Sequence, residues 1–217
     1  MTGDSKHPPS YDWDISRLFF FVSIVIPVTL ILALILFSEP FHFLQNAFSE
    51  LGETVTSSGH ANVLSRWVFS MGWIACGLAM AKIGRLYSRR SRLRNAQFKQ
   101  WLAWAGSFGF FLALAPNDIS HLLHSIGTGL VVAATFFFGI LFLLELRTSM
   151  RALVFYSYML FLLSSVLTYA ITFFTNSAGK QAAQKLCVFG LVLVVEKASS
   201  MAPNGFEWKH VLQAIRK

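Results

Sequence analysis

Cysteine and charged residues are both scarce in this chain. Only two of its 217 residues are cysteines, Cys76 and Cys187, and both fall inside apolar stretches. A disulfide scaffold and a cysteine-based zinc site are therefore excluded, and we expect both thiols to be small core residues. Charged residues make up 13% of the sequence, whereas soluble domains carry roughly 25%. This low proportion of charge indicates an integral membrane protein.

Long apolar runs take the place of the missing charges. Residues 18–37 contain no charged side chain, and a run of that length crosses the roughly 30 Å hydrocarbon core of a bilayer. The last run is the weakest, because Lys185, Glu196 and Lys197 interrupt it. We predict an all-α bundle of six transmembrane helices, at residues 17–37, 64–83, 99–116, 119–145, 152–175 and 182–201. Residues 1–16 and 202–217 form the two terminal tails.

Basic residues are distributed unevenly among the predicted loops. Fifteen of the 18 lysines and arginines fall in the two tails, the second loop and the fourth connection, and only Arg66, Lys180 and Lys185 fall on the other side. The positive-inside rule then places both termini in the cytoplasm, which requires an even number of spans. We expect a multi-pass protein of the plasma (inner) membrane.

The second loop carries most of the excess positive charge. Because this cluster directly flanks two spans, the net charge of +8 does not indicate a nucleic-acid partner. Juxtamembrane clusters of this kind attract anionic lipid headgroups, although the same cluster could serve only to fix the topology. The residues that we predict to contact lipid are Arg85, Arg89, Arg90, Arg92, Arg94 and Lys99. Other membrane subunits are the second class of expected partner.

The first loop, residues 38–65, is too long for a simple connector, and we expect it to fold over the helix ends. Phe41, Leu44, Phe48 and Leu51 recur at a helical spacing in it. This pattern predicts an amphipathic helix that lies on the bilayer surface and ends at Gly52.

Ionisable residues gather in this loop and in the turn before the fourth span. The candidate site residues are His124, His121, Asp118, Glu50 and His60. Residues i and i+3 share one helix face, so the two neighbouring histidines could bind one metal ion, with His60 or an acid completing a zinc shell. A purely structural interpretation stays open, in which Asp118 caps the fourth helix and the histidines make only hydrogen bonds.

Other functional motifs are incomplete or absent in the sequence. The stretch Ser57 to His60 is similar to part of a lipid-phosphatase motif, but the remaining elements of that motif are absent. No ionisable residue falls well inside a predicted span, which argues against a proton relay. In the fourth span, Gly127, Gly129 and Gly139 are predicted to allow close helix approach.

Three short motifs lie near the ends of the predicted spans: Ser49, Glu50 and Gly52 after the first span, Phe69 and Gly72 in the second, and His124 and Gly127 in the fourth. They resemble motifs of the Frag/DRAM/Sfk membrane proteins and of a related prokaryotic membrane family of unknown function. The resemblance covers residues 17–175 and departs in one position, since Glu50 stands where an aspartate is common. It implies a six-helix fold and a membrane-lipid or membrane-homeostasis role, with no catalytic residues to transfer.

The leading functional hypothesis is a non-enzymatic membrane protein without a cofactor, either a lipid-associated regulator or an accessory subunit of a membrane complex. The first alternative is a metal-dependent intramembrane lipid hydrolase with its site on the non-cytoplasmic face. The second is a small-solute transporter, which the absence of an internal repeat makes less attractive.

Overall fold

The computed structural model describes residues 12–200, and side chains up to residue 197. Six α-helices and one short 3-10 helix, η1, follow one another: α1 Trp13–Ile35, η1 Phe48–Gly52, α2 Val63–Arg89, α3 Ala96–Leu112, α4 His121–Leu146, α5 Ala152–Phe174 and α6 Lys180–Ser200. Within this range the only β-structure is an isolated bridge between Val55 and Ala61. The all-α fold predicted from the sequence is confirmed for the described residues. Both predicted tails fall largely outside them.

Four of these helices, α1, α2, α4 and α5, are long and apolar enough to cross a membrane. The other two helices, α3 and α6, do not meet this criterion, each for its own reason. The helix α3 has 17 residues, which corresponds to about 25 Å, and α6 carries charged residues near both ends. The chain is therefore a membrane protein by the length and composition of its helices.

The helix ends differ from the predicted bounds where local side chains cap or continue a helix. The helix α1 begins before residue 17, because the Asp12 carboxylate accepts hydrogen bonds from the backbone N–H groups of Asp14 (3.0 Å) and Ile15 (3.4 Å). The helix α2 continues through the basic residues as far as Arg89. The helix α3 ends at Leu112, and Pro116 follows in a turn before α4.

Aromatic rings from α1, α2 and α4 form the centre of the bundle. The ring of Phe19 meets those of Phe138 and Phe142 at centroid distances of 4.9 and 5.0 Å, and Tyr87 stacks on Phe138. Both cysteines are fully buried, as predicted. The outward faces of the helices stay apolar and exposed, as expected for surfaces in contact with lipid.

Glycines allow two helix pairs to pack closely, one through backbone contact and the other through a side chain. A Cβ at Gly109 would lie 2.8 Å from the carbonyl oxygen of Gly127, so α3 and α4 can approach this closely only without side chains at both positions. The added Cβ at Gly139 would lie 3.0 Å from Leu162 of α5. The prediction of close approach is confirmed for Gly127 and Gly139. It is wrong for Gly129, which has nothing within 4 Å of an added Cβ.

At the basic end of the bundle, two of the predicted lipid-contacting residues have protein partners instead. Arg90 forms ion pairs with Asp12 and Asp14 at the start of α1. Lys99 is fully buried, and its Nζ lies 2.7 Å from Oε2 of Glu145. The prediction that Lys99 reaches lipid headgroups is therefore wrong. The remaining residues of the set are exposed: Arg85, Arg89, Arg92 and Arg94.

Candidate functional site

The first loop contains η1 and turns rather than the predicted amphipathic α-helix. Side chains form hydrogen bonds to backbone N–H groups in the stretch where that helix was expected. Asn46 Oδ1 accepts from the N–H of His42 (2.7 Å), and Glu50 Oε1 accepts from the N–H of Ala47 (2.6 Å). Such local bonds compete with helix formation. The expected helix is wrong, although η1 does end at the predicted residue, Gly52.

The start of α2 holds η1 in place. The Asn62 side-chain amide donates to the carbonyls of Glu50, Leu51 and Glu53, at 3.2 to 3.3 Å. Ser65 Oγ also donates to the carbonyl of Leu51 (2.9 Å). Gly52 lies against the ring of Phe69, where a Cβ would be 2.7 Å away. The motif residues Gly52 of η1 and Phe69 of α2 therefore pack against one another.

The turn between α3 and α4 is tied to the same loop. The carboxylate of Asp118 accepts from the Thr54 hydroxyl and from the N–H groups of Thr54 (3.0 Å) and Val55 (3.4 Å). The Asn117 amide donates to Glu53 Oε1 (2.9 Å). The predicted role of Asp118 as helix cap is wrong, because Ser120 occupies the cap position and Asp118 faces the loop.

These environments shift the pKa values of Asp118 and Glu53 in opposite directions. Burial disfavours the charged form of Asp118, but hydrogen bonds from Thr54 and Val55 outweigh it and lower the pKa of this carboxyl. Burial raises the pKa of Glu53 above its ordinary value, against the Asn117 hydrogen bond and with further increases from the charges of Glu50 and Asp118.

The start of α6 completes the attachment of the loop. Gln184 Oε1 accepts from the N–H of Phe48 (2.9 Å). The buried ammonium of Lys185 donates to the carbonyl of Asn46 (2.6 Å) and lies 5.0 Å from the ring centroid of Phe48. Rings at this distance stabilise a cation through their negative faces. The loop thus folds over the helix ends, as predicted.

Beneath this loop, α4 and α5 diverge and leave an open groove of about 690 Å³. Although they are neighbours in sequence, the two helices share few contacts, and α6 packs against both. The mouth of the groove, next to the loop, is polar: Glu50, Glu53, Asn117, His121, Lys180 and Gln181. Its walls further along the helices are apolar, with Val132, Ala133, Val166 and Ala170, and Phe173 and Phe174 at the end of α5 add apolar surface close to the mouth.

His124 lies where the polar and apolar parts of the groove meet. It is only 6% exposed, and its Nδ1 lies 3.0 Å from the carbonyl oxygen of Ala115; the Ala113 carbonyl also faces the ring. A second cavity of about 50 Å³ lies beside it, and the two share Ser49, His124, Thr128, Val132, Tyr169 and Gln184. His124 is therefore one of the residues that lie between the open groove and the smaller cavity.

The predicted site residues are divided between two places. Glu50, His121 and His124 line the groove. Asp118 is committed to the loop, and the exposed His60 lies beside Glu39, 4.0 Å away. Within residues 12–200 no three His, Cys, Asp or Glu side chains are close enough together to hold a metal ion. The zinc shell drawn from the sequence is not assembled by these residues.

Sequence reasoning missed the contribution of α5 and α6 to the groove. Tyr169 of α5 and Gln184 of α6 line it opposite α4, which contributes His124, Ser125 and Thr128. A weak signal was present, because Tyr169 and Gln184 are polar residues inside otherwise apolar stretches. Such residues in a span usually face the bundle interior or a cavity.

No known family model, curated protein or solved structure matches this chain. The resemblance to the Frag/DRAM/Sfk proteins therefore stays a prediction, carried by the seven motif residues.

Proposed function

We propose that the protein is a six-span membrane protein that binds a lipid in the groove between α4, α5 and α6, and acts as a lipid-associated regulator or as an accessory subunit of a membrane complex. The observation that carries the proposal is the amphipathic lining of the groove. Cavities of about 300–1,000 Å³ are typical of ligand sites, and this one opens between two helices whose outer faces are apolar. Acyl chains can enter such an opening from the bilayer.

Contacts between helix ends support the crossing of all six helices. The Thr54–Asp118 bonds hold the start of α2 and the end of α3 together. If α2 crosses the bilayer, α3 must cross back to make this contact. The Phe48–Gln184 bond supports a start of α6 on the same side. The Arg90–Asp14 and Lys99–Glu145 pairs, which join helix ends at the opposite end of the bundle, support a common position for those ends on the other side.

The same arrangement places the exposed basic residues at the opposite end from the groove mouth. Arg85, Arg89, Arg92 and Arg94 would then face the cytoplasmic leaflet, and we propose that they bind anionic headgroups there. A lipid hydrolase has less support, because the predicted metal ligands are divided between the groove and the first loop.

The groove can be filled without disturbing the fold. Gly129 lines it and has open space around an added Cβ, so Gly129→Leu places an apolar side chain in the groove and also favours the helix. We expect this variant, purified in mild detergent, to lose more than half of the lipid that co-purifies with the wild type. The bound lipid is measured by mass spectrometry against protein concentration.

The matched control is Gly179→Leu, the same substitution at a glycine that also has open space but does not line the groove. It should retain the wild-type amount of lipid. Equal lipid content in the wild type, Gly129→Leu and Gly179→Leu would contradict the proposed site.

A further inference from the structure

The hydrogen bond of His124 fixes which ring nitrogen carries the proton. A backbone carbonyl can only accept a hydrogen bond, so the Nδ1 atom next to the Ala115 oxygen must be the donor. In the neutral ring the other nitrogen, Nε2, is then an acceptor. The hydrogen bond that the described residues give this ring is the one at Nδ1, which leaves Nε2 able to accept from a further donor. A ligand in the groove can supply one.

The polar groups around His124 are uncharged. Ser125 and Thr128 lie on the same helix, and Tyr169 and Gln184 face them from α5 and α6. Hydroxyl and amide groups match the hydroxyl and ester groups of a neutral lipid. They do not neutralise a phosphate, which proteins bind mainly through arginine, lysine or backbone N–H groups.

The charged groups at the mouth also disfavour an anionic headgroup. Two carboxyl groups, Glu50 and Glu53, face one ammonium, that of Lys180. The Lys180 Nζ already donates to Asn176 Oδ1 (3.1 Å). A phosphate brought to this mouth would meet more negative than positive charge.

We infer that the groove selects an uncharged lipid alcohol, whose hydroxyl group donates a hydrogen bond to Nε2 of His124 while its acyl chain lies along the apolar walls. This inference rests on the proposed function and adds the class of lipid. It makes His124 the residue that determines specificity.

Two substitutions separate the two ring nitrogens. In His124→Asn the shorter amide keeps a donor near the position of Nδ1 and removes the acceptor at Nε2. In His124→Gln the longer amide keeps an acceptor near Nε2 and removes the Nδ1 donor. A variant that only loses packing would not distinguish these two roles.

The experiment measures equilibrium binding of tritiated dioleoylglycerol and tritiated oleyl alcohol to the purified full chain in detergent. Competitors are the acetyl esters of both probes, in which the hydroxyl is blocked, and dioleoyl phosphatidic acid. We expect the wild type to bind at least one alcohol about five- to tenfold more tightly than its acetyl ester, as one hydrogen bond predicts. The alcohol that binds identifies a glycerolipid or a single-chain source.

His124→Asn should lose this five- to tenfold preference while its melting temperature stays near that of the wild type. His124→Gln should keep the preference and melt at a lower temperature. If His124→Asn does not fold, the comparison of alcohol and ester on the wild type still decides the question.

Equal affinity for the alcohol and its ester, or tighter binding of phosphatidic acid, would overturn the inference and leave the lipid site itself intact. Failure of every lipid to bind, together with unchanged co-purified lipid in Gly129→Leu, would overturn the proposed function as well.

Discussion

The pair of Lys99 and Glu145 shows how much one residue's environment depends on partners far away in the sequence. Lys99 was predicted to contact lipid headgroups. In the structure the side chains of Lys99 and Glu145 are 0% and 1% exposed. The ammonium also lies 5.2 Å from the ring centroid of Phe142 and 5.6 Å from that of Tyr87. The sequence contains each charge, but not the rotation of α3 and α4 that turns them inward.

Removing one member of this pair should destabilise the protein strongly. Lys99→Met leaves a buried carboxylate without its partner, which typically costs about 3–5 kcal/mol in the free energy of unfolding. Replacing both residues, Lys99→Met with Glu145→Leu, leaves no buried charge and should recover most of the loss. Thermal unfolding in detergent measures both effects, with the exposed Arg85→Met as control. A double variant as unstable as the single one would disprove this account.

Among the elements, the first loop was the hardest to predict. Its apolar spacing fits a helix, but spacing does not reveal that Asn46 and Glu50 bind nearby backbone groups or that Asn62 supports η1 from α2. That it folds over the helix ends could be predicted from its length alone. The capping role expected for Asp118 rested on chain proximity to α4, whereas its actual partner, Thr54, is 64 residues away.

The attachment of this loop to the α3–α4 turn should depend on pH through Asp118. Because the folded-state pKa lies below the ordinary value of 3.8, the carboxylate stabilises the attachment fully above about pH 4 and loses this effect as the pH falls through the lowered pKa. Asp118→Ala should abolish the effect at every pH. We expect the amides of Thr54 and Val55 to exchange hydrogen about fivefold faster in this variant at neutral pH, which corresponds to the net contribution of about 1 kcal/mol from one hydrogen bond.

The amide of Gly59 provides an internal control for the exchange measurement. It donates to the carbonyl of Thr56 within the loop and should exchange at the same rate in the wild type and in Asp118→Ala. Unchanged exchange at Thr54 and Val55 would show that Asp118 does not hold the loop.

For the whole molecule, the number and order of the helices could be read from the sequence, because each apolar run is long enough to bury itself in a bilayer or in a bundle. The groove could not be predicted from the sequence. It exists because α4 and α5 diverge while α6 packs against both, and that geometry involves contacts such as those of Gly139 in α4 with Leu162 in α5 and Val194 in α6. The sequence predicted that Glu50 and His124 lie at the same membrane face. It did not predict that Tyr169 and Gln184 form a wall of the groove.

The arrangement of all six spans can be tested by labelling single cysteines in intact cells with a membrane-impermeant maleimide. The native thiols, Cys76 and Cys187, are fully buried and should not react in the folded protein. This makes the wild type the background control. The engineered cysteines replace exposed residues in the connections between helices, so each substitution should leave the fold unchanged.

We expect Ser58→Cys in the first loop and Ile119→Cys in the α3–α4 turn to react from outside the cell. Ser91→Cys and Ser149→Cys, in the connections at the basic end, should react only after the membrane is permeabilised. Ile119, in the α3–α4 turn, is the decisive position. If α3 did not cross the bilayer, Ile119→Cys would be protected while Ser58→Cys reacted, and the Thr54–Asp118 contact would have to span the membrane, which hydrogen bonds of about 3 Å cannot do. Reaction at both positions, with Ser91→Cys between them protected until the membrane is permeabilised, would require both α2 and α3 to cross the bilayer, as in the six-span arrangement.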